Sequence, residues 1–154
     1  MLKWHTRRNM DRLNFEIRVR EVAARKPRLL ALESDNKGNI KMIEAVEEYY
    51  SVKLPDCYKD FVKQYGGGYF GFIIVYSCDC DGMFYIKDSI SKEWVLKKSF
   101  LPIIDLDTGD FLGFKIKDGI CQNTVALYYH EENELQELEM SFYEVLLKYG
   151  LKCN

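Results

Sequence analysis

The chain has 154 residues, of which 47% are hydrophobic and 30% charged, and its formal net charge is −2. These values fit one globular domain and exclude a disordered chain, and no apolar run reaches the ~18 residues of a membrane span. The basic first residues are not followed by the apolar stretch of an export signal. We therefore expect a cytoplasmic protein whose five cysteines are free thiols.

Charge is divided unevenly along the chain. Residues 1–28 carry nine Lys/Arg and three Asp/Glu, whereas residues 29–154 carry thirteen and twenty-one. The sequence thus predicts a basic N-terminal arm or helix, 1–28, followed by a single acidic domain, 29–154. A basic arm can approach nucleic acid or a membrane surface, but such runs are more often solvated helix faces. We expect no direct nucleic-acid binding.

Apolar spacing predicts three helices in the first half of the chain. The first covers residues 10–26 and ends at Pro27, and the second covers 40–50 with Asn39 as its cap. The third begins at Pro55, and residues 66–68 end it because glycine readily adopts the left-handed conformation of a helix C-terminus. Its apolar stripe, at helical spacing, consists of Tyr58, Phe61, Val62 and Tyr65.

After the glycines the apolar period shifts towards two, which predicts strands. A short helix capped by Ser89 is one interpretation of residues 89–98, and a final helix is expected over 135–151. The predicted strands cover 69–77, 82–86, 100–104, 110–116 and 124–130. This order predicts an α+β fold: a twisted, mainly antiparallel sheet with helices on one face, a helix-rich N-terminal third and a C-terminal helix. The expected core contains Leu54, Tyr58, Phe61, Phe72, Ile74, Leu101, Ile103 and Phe142.

Three motifs that suggest chemistry lack the context that chemistry needs. Residues 66–71 match G-x-G-x-x-G, but the helix precedes and the strand follows, the reverse of a dinucleotide site. The acidic residues after 104 lack the Gly and Glu positions of a calcium loop. Cys78 and Cys80 lack the further ligands that zinc requires. We therefore expect no metal, no cofactor and no enzymatic activity.

A longer series of residues resembles the SUKH superfamily, which includes fungal cell-wall glucan-synthesis regulators and bacterial immunity proteins. The resemblance covers residues 38–150, and two positions depart from it: Gly113-Phe114-Lys115 and Tyr128-Tyr129-His130 replace the usual acidic endings of two strands. The matching pieces are the acidic helix 43–47, Leu54-Pro55 with Tyr58 and Phe61, the glycines 66–68, Phe100-Leu101-Pro102-Ile103 and Gly109-Asp110. For a small single domain, the resemblance implies an immunity protein that binds and neutralises a cognate toxin, often a nuclease. The alternative is a non-enzymatic regulator or adaptor like the fungal members.

Acidic turns and nearby aromatic residues form the predicted partner surface. A nuclease is basic because it binds phosphates, so an acidic surface would attract it, and exposed aromatic residues would anchor it. Ordinary solvated turns are the alternative, and the sequence does not decide how the two acidic loops lie relative to each other. The predicted partner-binding residues are Asp105, Asp107, Asp110, Glu131, Glu132, Glu134, Tyr128 and Tyr69.

Overall fold

Helices precede a sheet and short helices close the chain in the structure, a computed structural model that describes the backbone of residues 2–153 and the side chains of residues 12–153. The helices are α1 (Leu2–Arg25), α2 (Ile40–Tyr50), α3 (Asp56–Tyr65), α4 (Ile86–Ser89), α5 (Lys92–Lys98) and α6 (Phe142–Val145), with a 3-10 turn at Pro27–Leu30 and a π turn at Leu146–Gly150. The strands are β1 (Gly68–Phe70), β2 (Ile73–Val75), β3 (Phe100–Asp105), β4 (Phe111–Lys117), β5 (Ile120–Tyr129) and β6 (Glu134–Glu137).

The six strands form one antiparallel meander in the order β1-β2-β3-β4-β5-β6, so each strand pairs with the next along the chain. Helices α3 and α6 cover one of its faces: Phe142 of α6 lies against Phe61 of α3 and Phe114 of β4, with ring centroids 5.8 and 5.7 Å apart. The predicted α+β fold with an antiparallel sheet is confirmed.

The local signals behind the first helices are visible in the structure. The Asn39 side chain accepts a hydrogen bond from the Met42 N–H at 2.9 Å and caps α2. Gly66 ends α3 with φ of 84°. Helix α1 is longer than predicted. Its Phe15 packs against Phe70 of the sheet, with ring centroids 5.9 Å apart. The described half of the basic segment therefore rests on the sheet, while the side chains of residues 1–11 lie outside the described residues.

The predicted strand 69–77 is wrong as a single strand, because it contains a hairpin. Gly71 turns the chain between β1 and β2 with φ of 61°, and an added Cβ there would lie 2.0 Å from the Gly150 carbonyl oxygen. The turn leaves Phe72 62% exposed, and Ile74 is half-buried. These two residues were expected in the core, whereas the other six, Leu54, Tyr58, Phe61, Leu101, Ile103 and Phe142, are buried.

Residues 82–86 are a turn that leads into α4, and the predicted strand there is wrong. The Asp35 carboxylate holds this turn by accepting hydrogen bonds from the N–H groups of Met83 and Phe84, both at 2.9 Å, and from the Ser77 hydroxyl. Such a contact between distant residues leaves no local periodic signal. Ser91, rather than Ser89, caps the following helix α5 by accepting from the Trp94 N–H at 3.3 Å.

The predicted single helix 135–151 is also wrong, since its first residues form β6 and Glu134 belongs to that strand rather than to a loop. Ser141 then starts α6 with a capping box in which its hydroxyl accepts from the Glu144 N–H at 3.2 Å. Glu, Leu and Gln all favour a helix, and pairing with β5 overrides this local preference. No helix in the described part of the chain is long and apolar enough to cross a membrane.

Candidate protein-binding face

A single row of residues, one from each strand, crosses the whole sheet. Directly opposed residues of antiparallel strands point to the same face, with Cβ atoms about 4.5–5.5 Å apart. The neighbouring row through Val75, Ile104, Leu112 and Leu127 is buried under the helices, so this row lies on the opposite, outer face. We call it the outer row; it consists of Tyr69, Ile74, Asp105, Phe111, Tyr128 and Leu135.

The outer row is mostly apolar and partly open to solvent. Tyr69 is 44% exposed, and its ring packs edge-on against Phe84 with centroids 5.4 Å apart. Ile74, Phe111 and Leu135 are half-buried. Three members of the row, Tyr69, Asp105 and Tyr128, are predicted site residues. Only part of the row is covered, so it presents aromatic and aliphatic surface.

Tyr128 lies within the outer row but has little free surface, because it is only 8% exposed. Trp94 of α5 packs edge-on against its ring at 5.1 Å, and the Lys98 ammonium lies 5.9 Å from the ring centroid. Its hydroxyl donates to Asn133 Oδ1 at 2.8 Å. Tyr128 was expected to be an exposed anchor, and this expectation has to be corrected, because its ring is buried against Trp94.

Asp105 lies in the middle of the outer row, and its half-buried carboxylate is held by two hydrogen bonds. Its carboxylate accepts hydrogen bonds from the Tyr76 hydroxyl at 3.2 Å and from the Asp107 N–H at 2.7 Å. Burial, and then the charge of Asp105, raises the pKa of Tyr76, so this hydroxyl stays protonated and continues to donate. Asp107 itself is exposed, and its φ of 60° places it in the tight turn between β3 and β4.

The two predicted acidic loops meet at one end of the sheet. Asp110 Oδ1 lies 2.6 Å from His130 Nδ1 and accepts from the His130 N–H at 2.9 Å. The hydrogen bonds from His130 lower the pKa of Asp110, and the bond to Asp110 raises the pKa of His130. The β3–β4 and β5–β6 turns thus lie side by side, which the sequence left open.

Five carboxylates surround this junction, and we call them the acidic end: Asp107, Asp110, Glu131, Glu132 and Glu134. All except the half-buried Asp110 are exposed. The acidic end adjoins the outer row because Asp105 and Leu135 of the row lie in β3 and β6, next to these turns. Together, the apolar outer row and the negatively charged acidic end form one continuous surface.

Four apolar residues of this surface escaped sequence reasoning: Ile74, Phe111, Leu135 and Trp94. Each is an unremarkable apolar residue in a strand or helix, so composition does not separate it from the core. Strand register is the signal that would have found them, because register decides which residues share a face. That register becomes known only when all six strands are paired.

The other end of the sheet carries a second acidic surface. A groove of about 610 Å³ lies between the end of α2 and the β4–β5 turn, and its acidic lining residues are Glu44, Glu47, Glu48 and Asp118. Glu47 already accepts from the Leu54 N–H at 2.8 Å and lies 3.4 Å from the Lys59 ammonium. Glu44 and Glu48 are exposed on α2 and provide a control for charge changes at the acidic end.

Potential metal ligands among the described residues form one cluster, Asp79, Cys80 and Asp81, in a tight turn. The Asp79 carboxylate already accepts from the N–H groups of Asn36 and Asp81 at 3.0 and 3.1 Å, which accounts for its position. All five cysteines are free thiols, and burial raises the pKa of Cys78 to about 11 and those of Cys57 and Cys121 to about 12. Buried thiols of raised pKa are poor nucleophiles.

Comparison with known protein families agrees with this architecture. Residues 40–146 match the model of the SUKH_6 family, whose description is "SMI1-KNR4 cell-wall". The chain belongs to the SUKH superfamily. Members of the SUKH family are generally not enzymes, and a SUKH domain fits an immunity protein or an SMI1/KNR4-like regulator. No curated protein matches the chain.

Proposed function

We propose that this SUKH protein is a bacterial cytoplasmic immunity protein that binds and neutralises a cognate toxin, with a basic nuclease domain as the partner. The observation that carries the proposal is the partly open outer row beside the acidic end. The family supports a role in protein binding, and the surface supports a partner that is basic and offers apolar contacts.

The two parts of the surface have different physical roles. Nucleases carry basic residues around their phosphate sites, so the exposed carboxylates of the acidic end would attract such a domain and speed encounter. Tyr69 and the half-buried apolar residues of the outer row would form the dry centre of the contact. The predicted residue Tyr128 acts indirectly by holding Trp94 and Phe111 in place.

The test uses the protein encoded directly upstream as the candidate toxin. Its toxic domain is produced alone and together with this chain, and both cell survival and the association rate are measured. The charge variant Glu131→Lys/Glu132→Lys is compared with Glu44→Lys/Glu48→Lys, which makes the same charge change at the other end of the sheet. We expect the first variant to slow association at low salt by about tenfold and the second to change it little.

Two results contradict the proposal. If the Glu44/Glu48 variant slows association as much as the Glu131/Glu132 variant, the acidic end is not the partner site. If the chain binds the neighbouring protein without restoring survival, it is a regulator or adaptor, which is the alternative function of a SUKH domain. The salt dependence of the wild-type rate gives the control, since steering by charge weakens as salt rises.

A further inference from the structure

The outer edge of β6 is an open strand edge. The sheet ends at β1 and β6. The β1 edge is covered by the preceding chain: the Asp35 N–H donates to the Gly67 oxygen at 2.9 Å, and the Tyr69 N–H donates to the Glu33 oxygen at 3.0 Å. Within residues 2–153 no strand or bridge pairs with the outer side of β6, and three of its four residues are exposed.

Backbone groups at two positions of β6 point away from the sheet. The Leu138 N–H donates to the Val125 oxygen at 2.9 Å, so Leu138 faces β5. Inward and outward residues alternate along an antiparallel strand, which directs the backbone of Gln136 inward and that of Leu135 and Glu137 outward. An unpaired edge of this kind is a template for a further strand.

The charges on β6 decide which strand can join. Glu134 and Glu137 are both exposed, and the Glu137 carboxylate lies 3.3 Å from the Lys115 ammonium on the outer face. A second copy of β6 would bring two further carboxylates, its own Glu134 and Glu137, to the same edge. Negative charges on neighbouring strands repel each other, so the edge disfavours self-pairing and favours a basic strand.

We propose that an extended basic segment of the toxin adds to β6 as a seventh, antiparallel strand. The source of the segment rests on the proposed function, whereas the edge itself rests on the geometry alone. Antiparallel addition places a basic residue opposite Glu137, an apolar residue opposite Leu135 and a basic residue opposite Glu134. The four residues of the segment that lie opposite Glu137 to Glu134 are therefore, in chain order, basic, of any type, apolar and basic. The apolar residue lies beside Leu135 and extends the outer row by one position.

The experiment uses a synthetic peptide, so it does not depend on the toxin. A peptide with the sequence Thr-Lys-Thr-Val-Arg-Thr is titrated into the 15N-labelled protein, and the charge-swapped peptide Thr-Glu-Thr-Val-Glu-Thr is the control. We expect the basic peptide to shift the amide signals of Leu135 and Glu137 and to slow their hydrogen exchange. The charge-swapped peptide should bind at least tenfold more weakly.

A pair of variants isolates the backbone contact. Glu137→Ala keeps the outward N–H and removes the carboxylate, while Glu137→Pro removes both, and unchanged signals elsewhere in each spectrum verify the fold. We expect Glu137→Ala to weaken binding several-fold and Glu137→Pro to weaken it at least tenfold more. Equal affinity of the two peptides, equal affinity of the two variants, or shifts confined to another surface would overturn the proposal. Peptide binding without toxin neutralisation would instead contradict only the proposed function.

Discussion

Replacing Phe61 by alanine provides the sharpest test of the core, because Phe72→Ala is a matched control. Both phenylalanines are expected in the core from the sequence, yet the structure leaves Phe61 3% and Phe72 62% exposed. The same atoms are removed in both variants. Any difference between them therefore measures the environment rather than the chemistry of the substitution.

The magnitude follows from the contacts of each ring. Phe61 lies among Tyr65, Phe70 and Phe142, with centroid distances of 5.0, 5.5 and 5.8 Å. These rings belong to three elements that cannot all close over the gap, so we expect a loss of about 4 kcal/mol, within the usual 3–5 for buried phenylalanine. Phe72 is mostly exposed, with the Lys152 ammonium 5.6 Å from its ring centroid, so the loss on its replacement should stay below about 1 kcal/mol.

Urea unfolding measures both values, and thermal melting checks them. At about 2–4 °C per kcal/mol for a domain of this size, Phe61→Ala should lower Tm by about 8–16 °C and Phe72→Ala by less than about 4 °C. A loss below about 1 kcal/mol for Phe61→Ala would refute the placement of this ring in the core. Equal losses for the two variants would refute the β1–β2 hairpin that exposes Phe72.

Three further predictions concern single side chains. Tyr69→Ala should speed dissociation of the toxin about 30-fold, equivalent to about 2 kcal/mol, while Tyr69→Phe should change it little; surface plasmon resonance measures both rates. A thiol reagent should label the exposed Cys80 well before Cys78, because burial raises the pKa of Cys78 to about 11; peptide mass spectrometry gives the order, and faster labelling of Cys78 contradicts its placement. His130 holds its proton more tightly when folded, since the bond to Asp110 raises its pKa. Its contribution to stability is full below about pH 6.5 and is lost as pH rises through the higher folded value. Asp110→Asn should move the NMR-titrated His130 pKa down towards its ordinary value, and an unchanged pKa would show that the contact is absent.

Features governed by neighbouring residues were predictable from the sequence. The stripe of α3 repeats at helical spacing and ends at Gly66, so its position and its buried face both follow from local rules. Most of the meander order also follows, because strands separated by short turns pair with their neighbours. The pairing of β2 with β3 does not, since residues 76–99 with α4 and α5 lie between them. The hairpin at Gly71 has no local signal because apolar residues lie on both sides of it, and the carbonyl that leaves no room for a side chain there belongs to the distant Gly150.

Features governed by distant contacts were not predictable. The turn at 82–86 depends on Asp35, and β6 depends on pairing with β5 rather than on its own four residues. The sequence correctly placed Asp107, Glu131 and Glu132 in exposed turns, whereas Asp110 is half-buried and Glu134 lies in β6. The proximity of the two turns depends on the Asp110–His130 contact between two hairpins. The burial of Tyr128 follows from Trp94, which no periodicity links to it.

The outer row is short enough for one toxin domain to contact both Tyr69 and the open edge of β6, which can be tested with a double variant. Six strands spaced about 4.8 Å apart span about 24 Å, close to the width of a patch of about 800 Å² that one partner covers in a standard interface. A single toxin domain seated on the row would thus reach both Tyr69 in β1 and the open edge of β6. These ends share no contact among the described residues, so the losses of binding free energy in Tyr69→Ala and Glu137→Pro should add to within about 0.5 kcal/mol in the double variant. Titration calorimetry of the toxin with the two single variants and the double variant measures this sum. A toxin that responds to only one of the substitutions occupies only that end of the row, and the proposed continuous interface would then be wrong.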